Sequence, residues 1–288
     1  MNNMKHLAFF FTLVLLIAGA RVNAQQSIFQ PGDYKDGIYD KENAVNRRFI
    51  PYTYLREGDV IWEKRVWRTV DIREKINQTL YFPVDPTVSR ISIMQLLVKY
   101  ILSGQIIAFS DEEFLVPYEK SVIRDKMVLV GDSVEQPQYD EAGNEFFVKV
   151  PGAVDSTWIY RNFLEMTIKE DWFFDKQKST LEVRIIGLGF NASLVGKEDL
   201  GGVNQFWVYF PACRPFFAKH EVFNTRNDSE RRTFEDVFWK RQFNSTVYKE
   251  SNVYDRRIDQ YSRGIDALLE SDRVKYDIFK FEHDLWHF

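Results

Sequence analysis

Apolar residues recur along this chain in blocks separated by polar, glycine- or proline-bearing breaks, and the period differs from block to block. The block at 56–77 has a helical period. At about 100° per residue Trp62, Val66, Val70 and Trp67 fall within an arc of roughly 140°, with Lys64, Arg68 and Asp71 opposite and Glu63 as the one misfit inside it. Asp59 stands where a capping carboxylate would accept from the first-turn amides, so the spacing predicts a helix from Asp59 that ends before Pro83 and Pro86. A second helix is predicted from Ser89 or Ser92 to Gly104, with Ile93, Leu96, Leu97, Tyr100 and Ile101 in phase. Residues 106–109 and 122–130 read as strands, with a turn at Asp111 to Glu113.

Residues 131–145, with Pro137 and an acidic glycine-bearing stretch, break the pattern as a hairpin or linker. Asp155 then opens another predicted helix through Trp158, Phe163 and Met166 towards Glu170. Its residues echo the first helix at a constant offset of 96: Asp59, Trp62, Arg65, Ile72 and Glu74 recur as Asp155, Trp158, Arg161, Ile168 and Glu170. Residues 181–188 alternate like a strand, and 206–210 form an aromatic one, joined by a glycine-rich loop that lacks the phosphate-loop spacings. The last 60 or so residues turn helical and charged, with Phe234, Val237, Phe238 and Arg241 on one stripe and Ile258, Tyr261, Ile265 and Leu268 on another.

The expected class is therefore α+β, built as two related helix-plus-strand units with a helical C-terminal extension. The divisions are a signal peptide at 1–24, an extended arm at 25–58, a first unit at 59–130, a hairpin or linker at 131–150, a second unit at 151–222 and the extension at 223–288. The signal reading rests on Lys5, an apolar run from Leu7 to Ala20 and Val22-Asn23-Ala24 before the cut. With Gln25 rather than cysteine after the cut, the chain is expected to be exported without an N-terminal lipid. No later segment has the roughly 20 mostly apolar residues of a membrane span.

Removing the signal leaves 36 Lys+Arg against 42 acids, a mildly acidic balance with no basic segment, which argues against nucleic acid. At 16% aromatic the chain is rich in residues that fill cores and anchor interfaces. A lone cysteine, Cys213, excludes an internal disulfide and reads as a small buried hydrophobe rather than a nucleophile. His283 and His287 stand four apart, as in some zinc sites, but no third ligand is nearby, so no metal or cofactor is expected. The motifs of serine hydrolases and zinc peptidases are missing. Trp62, Trp67, Trp158, Phe163 and Trp286 are candidate partner-binding residues, although core is the preferred role for most of the first four. The arm and the terminal helices are better placed to dock, being short of internal packing partners.

The runs Arg47-Arg48-Phe49-Ile50-Pro51-Tyr52, Leu55-Arg56-Glu57-x-Asp59-Val60-x-Trp62-x-Lys64-Arg65-x-Trp67-Arg68, Asp71-Ile72-Arg73-Glu74-Lys75-Ile76-Asn77 and Leu80-Tyr81-Phe82-Pro83 resemble the GldN/PorN family. The later runs Ile168-Lys169-Glu170-Asp171-Trp172-Phe173-Phe174-Asp175-Lys176-Gln177 and Arg184-Ile185-Ile186-Gly187 are similar to it as well. The resemblance implies a non-catalytic periplasmic subunit of the gliding-motility and type IX secretion apparatus of Bacteroidetes. It implies association with the inner face of the outer membrane, a ring formed with a GldK/PorK-type outer-membrane lipoprotein and copies of itself, and a link to a GldM/PorM-type inner-membrane-anchored protein. No catalytic residues come with it. The alternatives are an exported hydrolase acting on polysaccharide or peptide and a carbohydrate-binding module.

Overall fold

The block predicted as the first helix is a strand. The computed structural model describes residues 46–87, 90–130, 134–139, 145–150, 154–155, 157–193, 202–224, 227 and 229–285. The predicted signal segment, the arm up to residue 45, Ser89, His287 and Trp286 lie outside the described residues. In chain order the elements are β1 (Val60–Asp71), α1 (Gln78–Tyr81), α2 (Ile93–Leu102), β2 (Ala108–Phe109), α3 (Lys120–Met127), β3 (Leu129–Val130), β4 (Val134–Tyr139), β5 (Glu145–Val150) and β6 (Val154–Asp155). There follow α4 (Trp158–Asn162), β7 (Phe163–Asp175), β8 (Thr180–Ser193), β9 (Gly202–Tyr209), α5 (Phe210–Phe217), β10 (Glu221–Val222), β11 (Arg232–Thr233), α6 (Phe234–Trp239), β12 (Thr246–Glu250) and α7 (Ile265–Asp284).

The class is α+β with a C-terminal helix, as expected, and the main sheet runs β12-β1-β7-β8-β9-β2 with every pair antiparallel. Trp62, Val66 and Val70 are four apart, a spacing that puts residues on one face at either period, so they fit a strand as well as a helix. The arbiter is composition. Val60, Ile61, Val66, Thr69 and Val70 are β-branched, and two tryptophans join them, a set that suits a pleated surface. Val66 and Trp67 are both buried although they point to opposite faces, because both faces of the sheet are covered here. Instead of capping a helix, Asp59 sits in a 3-10 turn, where Oδ2 accepts from Gln177 Nε2 at 2.7 Å.

The internal echo does not hold in the structure. Trp62 lies in a strand and Trp158 in α4, and β1 pairs directly with β7 through contacts such as Val66 with Glu170. The helix predicted from Asp155 to Glu170 lasts only five residues before β7 takes over. Strands from both expected units therefore share one sheet, and Asn43–Phe288 make one compact unit. The stretch predicted as a strand at 122–130 is mostly α3, whose Ile123 and Met127 are buried one turn apart. By contrast α2 begins at Ser92, whose Oγ accepts from Gln95 N while Gln95 Oε1 accepts from Ser92 N, a capping box. Strands β4 and β5 form a hairpin.

One face of the sheet is the inner one. Along it Val70, Met166, Phe190 and Phe206 meet α2, α4, α5 and α6 in a large cluster that also holds Leu97, Phe163, Phe217, Phe234 and Phe238. Further along the strands a smaller cluster of Val66, Val247, Ile258, Val274 and Ile278 lies under α7, with Trp62, Trp172 and Leu181 packed against it. Glu170, fully buried, stands beside Arg68 and Trp172 between the two: Arg68 Nε and Trp172 Nε1 donate to Oε1, the latter at 2.8 Å, and Arg241 pairs with Oε2 at 2.8 Å.

Candidate functional site

The C-terminal helix is packed on one side only. Its inner face is Ser271, Val274 and Ile278, with Ser271 Oγ accepting from Val247 N at 2.8 Å and Phe281 stacked on Trp62 at 4.4 Å. The outer face carries Ile265, Leu268, Leu269, Tyr276 and Phe279, each more than half exposed. The helix stripe expected at Ile258, Tyr261, Ile265 and Leu268 is thus divided: Ile258 is core, and the other three face outwards. The phase is set by β12, a strand that the helical reading of this region missed. Beside the apolar ridge the charges are largely paired among themselves, Arg273 with Glu270 at 2.5 Å and Asp277 at 3.0 Å, and Lys275 with Asp272 at 3.1 Å. Glu270 and Asp277 raise the Arg273 guanidinium further above its ordinary value, and Arg273 in turn holds the Glu270 carboxyl below its own. Asp272 stands between Ile265, Leu268 and Leu269 on one side and Tyr276 and Phe279 on the other; exposed apolar groups of this kind mark a surface that another surface covers, and covering one such side chain is worth about 1.5–3 kcal/mol.

A second feature fixes the arm. Arg214, from α5, is 1% exposed and donates through Nε and Nη2 to Glu235 Oε1 at 2.8 and 2.6 Å, and through Nη2 to the Ile50 carbonyl at 2.6 Å. Its guanidinium lies over the rings of Tyr52, Phe49 and Trp239 at 4.2, 5.2 and 5.2 Å. Arg184 Nη2 donates to the Thr53 carbonyl at 2.9 Å, and Arg47 pairs with Asp236 at 2.7 Å. Residues 47–53 are thereby laid beside the first half of β8, which β9 does not pair, leaving a groove of about 400 Å³ bordered by Tyr52, Val183, Phe210 and Trp239. Burial raises the Glu235 carboxyl against the opposing pull of Arg214, and burial likewise raises the Tyr52 hydroxyl. An arginine within the apolar run 206–217 was the sequence signal for this clasp, and the pattern reading passed over it.

The candidate aromatics fall as follows. Trp67, Trp158 and Phe163 are 6%, 7% and 2% exposed, buried within the chain. Trp62 is half-buried beneath Phe281. Trp67 lies on the outer face of β1 between Lys169 and Lys249, whose ammonium groups are 5.9 and 4.5 Å from its ring. Cys213 is buried, its Sγ 3.4 Å from the Tyr209 carbonyl and its thiol pushed up by burial. His220 is part-buried with Nδ1 2.9 Å from the Phe216 carbonyl, and His283 is exposed on α7 beside Asp284. Among the described residues no three His, Cys, Asp or Glu side chains gather as a metal site, and no helix is long and apolar enough to cross a membrane.

A family model described as gliding motility associated protein GldN matches residues 55–287. No curated protein gives a significant match. The matched span begins at the end of the arm and takes in all six strands of the main sheet and the whole of α7.

Proposed function

From the premise that this chain belongs to the GldN family of gliding-motility-associated proteins, we propose that it is a structural, non-catalytic subunit of the gliding-motility and type IX secretion machinery. In this reading it is periplasmic, held at the inner face of the outer membrane. It forms a ring with a GldK/PorK-type lipoprotein and further copies of itself, and meets a GldM/PorM-type protein anchored in the inner membrane. The observation that carries the reading is the outer ridge of α7: Leu268, Leu269, Tyr276 and Phe279 are exposed on a helix whose opposite side is already packed. A ridge of this kind suits a subunit that meets other chains.

The test is recovery of the tagged protein from envelope extract, with sizing and mass spectrometry of what accompanies it. The expected result is a very large assembly containing an outer-membrane lipoprotein, reduced when Leu268→Glu and Phe279→Glu are combined. A clean monomer without an envelope partner would overturn the reading and favour an exported hydrolase. Normal export of outer-membrane cargo in a strain lacking the chain would remove the secretion role.

A further inference from the structure

The outer face of the sheet holds a polar depression of about 670 Å³, within the size range of small-molecule sites. Its floor is a row of uncharged side chains crossing neighbouring strands. Asn204 Nδ2 on β9 donates to Asn191 Oδ1 on β8 at 3.1 Å and Asn191 Nδ2 donates to Thr167 Oγ1 on β7 at 3.3 Å, while Thr69 on β1 and Tyr248 on β12 line the depression beyond them. Beside the row lies Trp207, 7% exposed, with its indole against Gly189: an added Cβ there would stand 2.9 Å from the ring and from the Asn204 amide, so the glycine is what allows ring and amide to lie side by side.

The rim is fastened from beneath. Lys169 Nζ donates to the Glu112 carbonyl at 2.8 Å, and Lys249 Nζ pairs with Asp255 at 2.6 Å and Glu112 at 3.8 Å. These two lysines tie the loops after β2 and after β12 to the sheet, so the walls of the depression are formed in advance of any ligand, which reduces the ordering cost of binding. Arg257 and Asp259 come from the second of these loops.

The chemistry of the lining selects the ligand. Carboxylates outnumber cations around the rim, with Asp111, Glu112, Glu165 and Asp259 against Arg257, which disfavours phosphates and other anions. Asp111 is engaged in its own turn, accepting from Leu115 N and Val116 N at 2.9 and 3.0 Å. Burial, reinforced by Asp71, raises the Glu165 carboxyl from its ordinary value against the opposing pull of Arg73 and of its hydrogen bond with Asn191. An amide and hydroxyl floor disfavours an acyl chain. A row of amides and hydroxyls in uncharged form matches a ring that carries several hydroxyls.

We propose that this depression binds one or two sugar rings of a neutral glycan. The inference goes beyond the assembly role and does not depend on it: the depression is on the outer face of the sheet, whereas α7 packs on the inner face. The experiment is titration of the purified full chain with cellotetraose and with chitotetraose, followed by calorimetry and by amide chemical shifts. Saturable binding of at least one tetrasaccharide, with a Kd of about 1 mM or tighter, is expected. Asn204→Ala should weaken it by about fivefold or more, while Leu268→Glu, on the helix that packs on the opposite face, leaves it within about twofold. Should Asn204→Ala fail to fold, Thr69→Val, at a half-buried lining position, takes its place. No saturation by either sugar up to about 10 mM, ten times that Kd, would overturn the proposal. So would binding that is indifferent to Asn204→Ala in a folded protein. Tight binding of spermine that Glu165→Gln abolishes would reassign the depression to cations.

Discussion

The two apolar clusters on the inner face of the sheet differ in what closes them. The larger draws on the six helices α1 to α6 and stacks phenylalanine on phenylalanine, as in Phe190 with Phe206 at 5.2 Å and Phe217 with Phe238 at 5.5 Å. The smaller has five buried members and a single helical lid, α7, which also carries exposed apolar side chains on its outer side. A cluster of that size stabilises its lid only modestly, so the difference is between a core that holds the fold and a core that presents a helix. Local opening free energies follow the extent of burial, and α7 is therefore expected to open before the rest of the molecule.

Removing the group between the clusters should cost most. Glu170→Ala leaves Arg68 and Arg241 around a buried gap, and a loss of about 3–5 kcal/mol is expected by denaturant unfolding. A loss under about 1 kcal/mol would mean that the arginines find other partners and that the clusters are not joined through this carboxylate. Next, Phe217→Ala in the large cluster should cost about 3–5 kcal/mol, while Ile278→Ala under α7 should cost about 2 kcal/mol, the low end for its type. Hydrogen exchange should show the second loss confined to α7; equal global losses would erase the distinction between the two cores.

A gentler effect comes from pH. Burial lowers His220 below 6.5, so the unfolded chain takes up a proton that the folded chain resists. Stability from this site is complete above about pH 6.5 and falls as pH drops towards the folded value. His220→Gln should flatten that slope relative to the parent protein, and the loosening should appear around Tyr100, whose ring meets the imidazole, rather than in α7. Smallest of all, Leu268→Glu should change stability by no more than about 0.5 kcal/mol, because the residue is exposed. A larger loss would show that the outer ridge of α7 packs within its own chain.

The class, the capped helix α2, the strands around 181–188 and 206–210 and the burial of Cys213 were legible because local chemistry settles them. Ser92 and Gln95 satisfy each other within four residues, and the alternation in β8 has no helical counterpart. The region of β1 was misread because Trp62, Val66 and Val70 satisfy both periods, and because covering of both faces turned Trp67 into an apparent member of one helical arc. The sheet partner that decides the matter lies far along the chain. The polar row of Thr167, Asn191, Asn204 and Tyr248 was illegible for the same reason: no two of its members share a strand, and only the register brings them together.

That register also governs how the chain arrives at its fold. Val66 pairs with Glu170 on one side and with Glu250 on the other, so both strands that flank β1 are made well after it. Sheets closed by such distant pairings form slowly, and a strand rich in valine and tryptophan with both edges open is prone to pair with a neighbour meanwhile. The time β1 spends unpaired is therefore expected to weigh on the yield of folded protein, and added holdase is expected to raise that yield.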